Sequence, residues 1–130
     1  MSVRLPNPKR SMRSDATGSL RRLADIRHNI YLARTFVDGL TYEEFRDNDL
    51  VFYAVTRCLE IISEASRRIP PEMKARHPHI PWAEMAGAGN VYRHDYEDVR
   101  QRLVWGTVHN RLPALLDAVE LELRRFDALP

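Results

Sequence analysis

Apolar side chains recur every three or four positions along most of this chain, the spacing of helices that bury one face. From Ser19, placed as an N-cap, Leu20, Leu23, Ile26, Ile30, Ala33, Val37 and Leu40 form a stripe that closes near Gly39. After the polar interval TYEEFRDND, a second stripe runs through Val51, Val55, Leu59, Ile62, Ala65 and Ile69. Pro70 and Pro71 stop it, because proline lacks an N–H and clashes with the preceding turn. Residues 71–76 suit one short helical turn, and Pro81 sits where a helix favours its first residue, ahead of Trp82, Met85 and Ala86. The last stripe carries Val99, Leu103, Val108, Leu112, Leu115, Val119, Leu123 and Phe126; Asp98 caps it, and Pro113 kinks or cuts it. Sustained alternation, hairpin dipeptides and internal repeats are absent. The pattern predicts an all-α fold, an up-and-down bundle of four main helices spanning residues 19–130. Residues 1–18, without periodicity and with Pro, Ser and basic residues, predict a mobile arm.

Composition narrows the class without naming a function. A chain of 130 residues supports one core and not two. The net charge of +2 resides in the arm, where Arg4, Lys9, Arg10 and Arg13 face only Asp15; the remainder holds 16 basic and 17 acidic residues. Nucleic-acid affinity driven by bulk charge is therefore unsupported for the body, and any RNA contact must be local or borrowed from the arm. No apolar run approaches the ~20 residues of a membrane span, and the basic start lacks the apolar stretch of a secretory signal. Cys58 stands alone, so no internal disulfide forms and the reducing cytoplasm is the expected compartment.

Candidate chemistry concentrates in AGAGNVYRHDYEDV, residues 86–99. His94 titrates near neutrality and can serve as general acid or base, or cap helix carbonyls. Asn90 lies one helical turn before it, on the same face, where the two would frame a phosphate or form a buried polar pair. Tyr96 is two residues further on. Gly87 and Gly89 weaken a helix, a cost accepted for close backbone approach to a neighbouring helix, a second protomer or a ligand. Elsewhere the chemistry is sparse. His77-Pro-His79 lacks a cysteine pair or acidic partner at metal spacing, so neither a metal nor a cofactor is expected. Cys58 falls on an apolar face as an inert core residue, and Glu60 and Glu64, one turn apart, gain interest only if their face lines a cleft beside His94.

The order of LRRLADIRHNI, LEIISEASRRIPPEMKARHPHIPWAEMAG, NVYRHDYEDV and VWGTVHNRLPALL resembles the HepT subgroup of the HEPN domains, over about four-fifths of the chain. The resemblance implies a bundle of four to five helices that forms a homodimer, with the polar turns of both protomers lining a shared cleft. It also implies a metal-independent endoribonuclease, the toxin of a bacterial toxin–antitoxin pair, neutralised when an MntA-like nucleotidyltransferase antitoxin transfers AMP to a tyrosine. The family motif R-x-x-x-x-H-x-Y places its His on His94, its Tyr on Tyr96 and the Asn that commonly follows the Arg on Asn90. Its Arg position falls on Gly89, where the match fails.

That departure bears on the chemistry. In metal-free cleavage a base removes the ribose 2′-hydroxyl proton, and a cation or donors must hold the charge of the crowded phosphorane. Arg93 or Arg100 is the candidate substitute, although Arg93, adjacent to His94, would point about 100° away on a helix. Two functions follow from the resemblance: a ribonuclease toxin using His94, Asn90 and Arg93 or Arg100, or a non-catalytic dimer that binds the nucleotidyltransferase and accepts AMP on Tyr96. The residues by themselves also fit a helical scaffold whose glycines only pack helices.

Overall fold

The computed structural model describes residues 8–90 and 97–128, except the side chains of residues 8–15 and 97. Every regular element among them is a helix: α1 (Pro8–Val37), α2 (Tyr42–Arg46), α3 (Asp49–Arg67), α4 (Pro71–Ala75), α5 (Trp82–Gly87), α6 (Glu97–Asn110) and α7 (Leu112–Asp127). α1 and α3 correspond to the first two predicted stripes, the last stripe is divided into α6 and α7 where one helix was expected to kink or end, and the helix expected after Pro81 is the six-residue α5, so the described residues form seven helices where four main ones were expected. No described helix is long and apolar enough to cross a membrane.

The first helix begins eleven residues ahead of Ser19, so residues 8–18, assigned to the arm, are helical. Proline suits a first helical turn, and none occurs between Pro8 and Pro70 to interrupt the helix. Ser19 is consequently an interior, buried residue and not a cap. Leu23, Ile26, Ile30, Ala33 and Val37 form the buried face of α1, while Leu20 remains exposed. Gly39, at φ +76°, turns the chain after α1 in a conformation that only glycine adopts cheaply.

In the polar interval lies α2, held by a reciprocal cap: Thr41 Oγ1 accepts from the Glu44 N–H at 3.1 Å, and Glu44 Oε1 accepts from the Thr41 N–H at 3.1 Å. This helix inserts Phe45, fully buried, between Phe52 and Trp105, with ring centroids 6.1 and 5.3 Å away. The apolar face of α3, including Val55, Leu59 and Ile62, packs on α1, and α2, α5 and α6 close around its remaining sides. An Arg22 Nη1 bond to the Arg68 carbonyl (3.4 Å) sets the middle of α1 beside the end of α3. Tyr31 donates to Glu120 at 2.5 Å, and Val37 lies near Pro113, so both α3 and α7 run antiparallel to α1.

At Arg111 the chain breaks between α6 and α7, and Pro113, in the first turn of α7, needs no N–H partner there. The break frees each helix to choose its own phase. Val104, Val108 and Gln101 therefore face inward on α6, whereas Val99 and Leu103, expected in the core, are exposed.

One charge is buried in the bundle. Glu122 sits on the apolar face of α7, accepts from both Arg76 Nη2 (2.5 Å) and Nε (3.2 Å), and lies 2.7 Å from His77 Nε2. These contacts tie the turn after α4 to α7, and they occupy the first histidine of the His77-Pro-His79 pair. Burial pushes the Glu122 carboxyl up, but hydrogen bonds from Arg76 and His77 outweigh it and hold the group below its ordinary value. Because the folded-state pKa is depressed, its stabilisation is present above the unfolded value and disappears as pH falls through the folded one. Glu122→Ala, which leaves buried His77 unpaired, is expected to cost about 3 kcal/mol in urea unfolding at neutral pH, with the difference from wild type shrinking in acid. A loss independent of pH would contradict the charged pairing.

Candidate functional site

The segment that the sequence singles out hangs from two anchored points. The first is the end of α5. Gly89 is buried, and its N–H donates to the buried Ser63 Oγ of α3 at 2.7 Å. A Cβ built on Gly89 would lie 2.8 Å from Glu60 Cα, 3.2 Å from Glu60 N and 3.1 Å from Ser63 Oγ. No side chain fits there unless the backbone of α3 retreats. A Cβ on Gly87 meets nothing within 4 Å, so the close approach predicted for both glycines belongs to Gly89 alone. The packing partner is a neighbouring helix of the same chain.

Asn90 follows, half-buried, its N–H bonded to the Gly87 carbonyl at 3.0 Å. Arg93, His94 and Tyr96 lie outside the described residues.

The second anchor is the start of α6. Asp98, predicted as a cap, instead lies one residue inside the helix and turns its carboxylate to other side chains. Its Oδ1 accepts from the Tyr42 hydroxyl at 2.7 Å and its Oδ2 from Arg102 Nε at 2.8 Å, while the Arg102 guanidinium carbon sits 5.5 Å from the Tyr42 ring centroid. The Tyr42 hydrogen bond, aided by the bond and charge of Arg102, holds the Asp98 carboxyl below the usual range against the opposing effect of desolvation. Burial and that same carboxylate push the Tyr42 phenol up. Thus α2, which the sequence reading missed, fixes where α6 begins. The T-x-x-E spacing of Thr41 and Glu44 was the signal that could have revealed it.

Of the two candidate cations, Arg100 is described. It is half-buried on α6, and its Nε is shielded from solvent with no hydrogen-bond partner among the described residues. Thr56 Oγ1 on α3 and Gln101 Oε1 on α6 share that condition. Buried donors and acceptors ordinarily find partners, so these atoms are unused polar capacity on α3 and α6, two helices in contact. α3 is therefore the common wall: Ser63 and Glu60 meet the end of α5, and α6 packs against it with Arg100 in its first turns.

The remaining candidates have structural roles. Glu60 pairs with Arg57 at 3.1 Å, and Glu64 with Arg67 at 3.0 Å and Arg68 at 2.9 Å. Glu60 does reach the segment, through its backbone beneath Gly89. Cys58 is buried, which pushes its thiol up, away from the thiolate that reactivity requires. Gly89→Ala is expected to destabilise the protein by about 2 kcal/mol, the cost of overpacking against a backbone, while Gly87→Ala leaves stability equal or higher. Thermal melts of the two variants that reverse this order would remove the steric reading of Gly89.

The comparisons with known proteins agree with one another. A family model described as ribonuclease HepT-like matches residues 26–121. A protein of Thermococcus cleftensis named "Probable ribonuclease HepT" is 41% identical over 93 residues, 72% of this chain and 84% of that protein. Two proteins of Methanocaldococcus jannaschii carry names beginning "Putative RNase". One is 40% identical over 80 residues, 62% of this chain and 66% of its own length. The other is 38% identical over 86 residues, 66% of this chain and 79% of its own. No solved structure matches the chain. The matched region runs from the middle of α1 to the last turns of α7 and includes both anchors, and on this ground the chain belongs to the ribonuclease HepT-like family.

Proposed function

We propose that this protein is a metal-independent endoribonuclease of HepT type, the toxin of a toxin–antitoxin pair, acting as a cytoplasmic homodimer. Membership of the family, with a relative at 41% identity named as a ribonuclease, is the observation that carries the reading. In it His94 removes the 2′-hydroxyl proton, the oxygen attacks phosphorus, and the 5′ oxygen leaves with a proton, giving a 2′,3′-cyclic phosphate. Arg100 neutralises the phosphorane, with Arg93 as the other candidate, and Asn90 orients the phosphate. The shielded Nε of Arg100 supports its assignment, because a guanidinium outside any ion pair among the described residues retains its capacity for an anion. Exposed apolar side chains at Leu50, Tyr53, Val99 and Leu103 support the paired state.

A specific observation favours a second reading. The position at which the family motif carries arginine is occupied by Gly89, and α3 leaves no room for any side chain there. A dimer lacking that cation would be a non-catalytic partner of an MntA-like nucleotidyltransferase. In either reading the Tyr96 hydroxyl attacks the α-phosphorus of ATP, pyrophosphate leaves, and AMP remains on the tyrosine.

The purified protein is expected to cut single-stranded RNA in EDTA, to lose this activity in His94→Ala, and to slow about a hundredfold in Arg100→Ala, the loss of ~3 kcal/mol typical of one preorganised charge stabiliser. Equal survival of RNA with wild type and His94→Ala, both folded and dimeric, would sink the ribonuclease. Intact mass after incubation with ATP and an MntA-like enzyme should rise by one adenylyl group, and Tyr96→Phe should not change. An adduct on a protein that never cleaves RNA selects the second reading.

A further inference from the structure

Between α1 and α3 lies a groove of about 410 Å³, remote from the Glu122 cluster and used by none of the chemistry above. Gly18 opens it, since the missing side chain leaves a gap in the α1 wall, and Ile61 and Ala65 of α3 form an apolar floor. Its rim carries four guanidiniums. Arg57 and Arg68 are neutralised within α3 by Glu60 at 3.1 Å and Glu64 at 2.9 Å. Arg21 and Arg22, adjacent on α1, enter no ion pair among the described residues; Arg22 reaches only the Arg68 carbonyl, at 3.4 Å. Two unneutralised guanidiniums at one groove attract an anion.

We infer that this groove is a binding subsite for single-stranded RNA, with Arg21 and Arg22 holding backbone phosphates and a base resting on Ile61 and Ala65. The inference rests on the ribonuclease reading and gives its substrate a path. Asp25, Glu60 and Glu64 also line the groove, and these carboxylates disfavour a purely electrostatic grip on a duplex. They suit a single strand, whose unpaired base edges offer N–H donors to a carboxylate while an apolar floor takes the base face. The volume is that of a small-ligand site, large enough for one nucleotide. Position adds a further argument: Glu60, on the groove wall, is also the residue against which Gly89 packs, so one residue of α3 is common to the groove and to the contact that precedes residues 91–96 in sequence. Upstream on the same helix, Lys9, Arg10 and Arg13 extend the basic sequence beyond the groove.

The test measures binding of a short fluorescein-labelled oligoribonucleotide by anisotropy, 2′-O-methylated so that it cannot be cut through its 2′ oxygen. R21E/R22E should weaken binding at least tenfold and reduce the slope of log Kd against log salt by about 1.4, two phosphate contacts at about 0.7 each on a single strand. Gly18→Leu fills the groove without changing charge, and its new Cβ would meet only the flexible Arg22 guanidinium, at 3.5 Å. It should weaken binding as well, and a duplex of the same sequence should bind more weakly than the strand. Parental affinity in both variants, with circular dichroism unchanged, overturns the subsite; if the parent still cuts RNA in a His94-dependent way, the ribonuclease reading survives it. A parent that neither binds nor cuts RNA overturns both. Variants that retain RNA affinity but lose a nucleotidyltransferase partner also overturn the subsite, reassigning the groove to protein.

Discussion

Everything in this bundle is arranged around the crowding of α3. Its inner face is packed on α1, α2 covers its beginning, and α5 and α6 press on its flank. In one of these contacts one partner contributes no side chain: the backbone at Gly89 lies so close to Glu60 that a Cβ would come within 2.8 Å of its Cα, and it is secured by the bond from its N–H to Ser63. Such closeness fixes the exit of α5 more firmly than interdigitating side chains could, because backbone cannot change rotamer. At the other end of the motif, Asp98, Tyr42 and Arg102 fix the entry to α6. Residues 91–96, which carry the candidate side chains His94 and Tyr96, thus lie in sequence between two structural attachments of different kinds, one steric and one polar.

The sequence was legible where one physical signal dominated. Long stripes at helical spacing marked α1, α3 and α7, and prolines marked the ends of α3 and α7's first turn, because periodicity and proline act locally. It misled where the decision lay elsewhere in the fold. Val99 and Leu103 appear as core residues if α6 and α7 are one helix; the break at Arg111 decouples their phases, and Val104 takes the buried place. Five residues of α2 contain too few apolar positions to show a period, and only their reciprocal cap announced a helix. No local pattern marks Glu122 as a buried acid, because its two partners, Arg76 and His77, are about 45 residues away in sequence.

The site was legible in a different manner. Histidine, tyrosine and asparagine at the motif spacing drew attention as residues, but their roles came from resemblance, and spacing could not say what Gly89 was for. Its explanation required the position of a helix some 26 residues earlier, to which its N–H is bonded. Composition sets one constraint: a body with almost balanced charge must concentrate any anion affinity locally, and the groove lined by Arg21 and Arg22 is the place proposed for it.

The contact at Gly89 also constrains how this lineage can vary. Positions 89 and 60 are not independent, since the first can acquire a side chain only after the helix bearing the second has moved. A single codon change to arginine would meet a closed wall before it met a substrate, and selection would see the packing defect first. An arginine at position 89 therefore requires repacking of α3 that lowers the wall in advance. Two chains of this family that differ at this one motif position should differ in the seating of an entire helix.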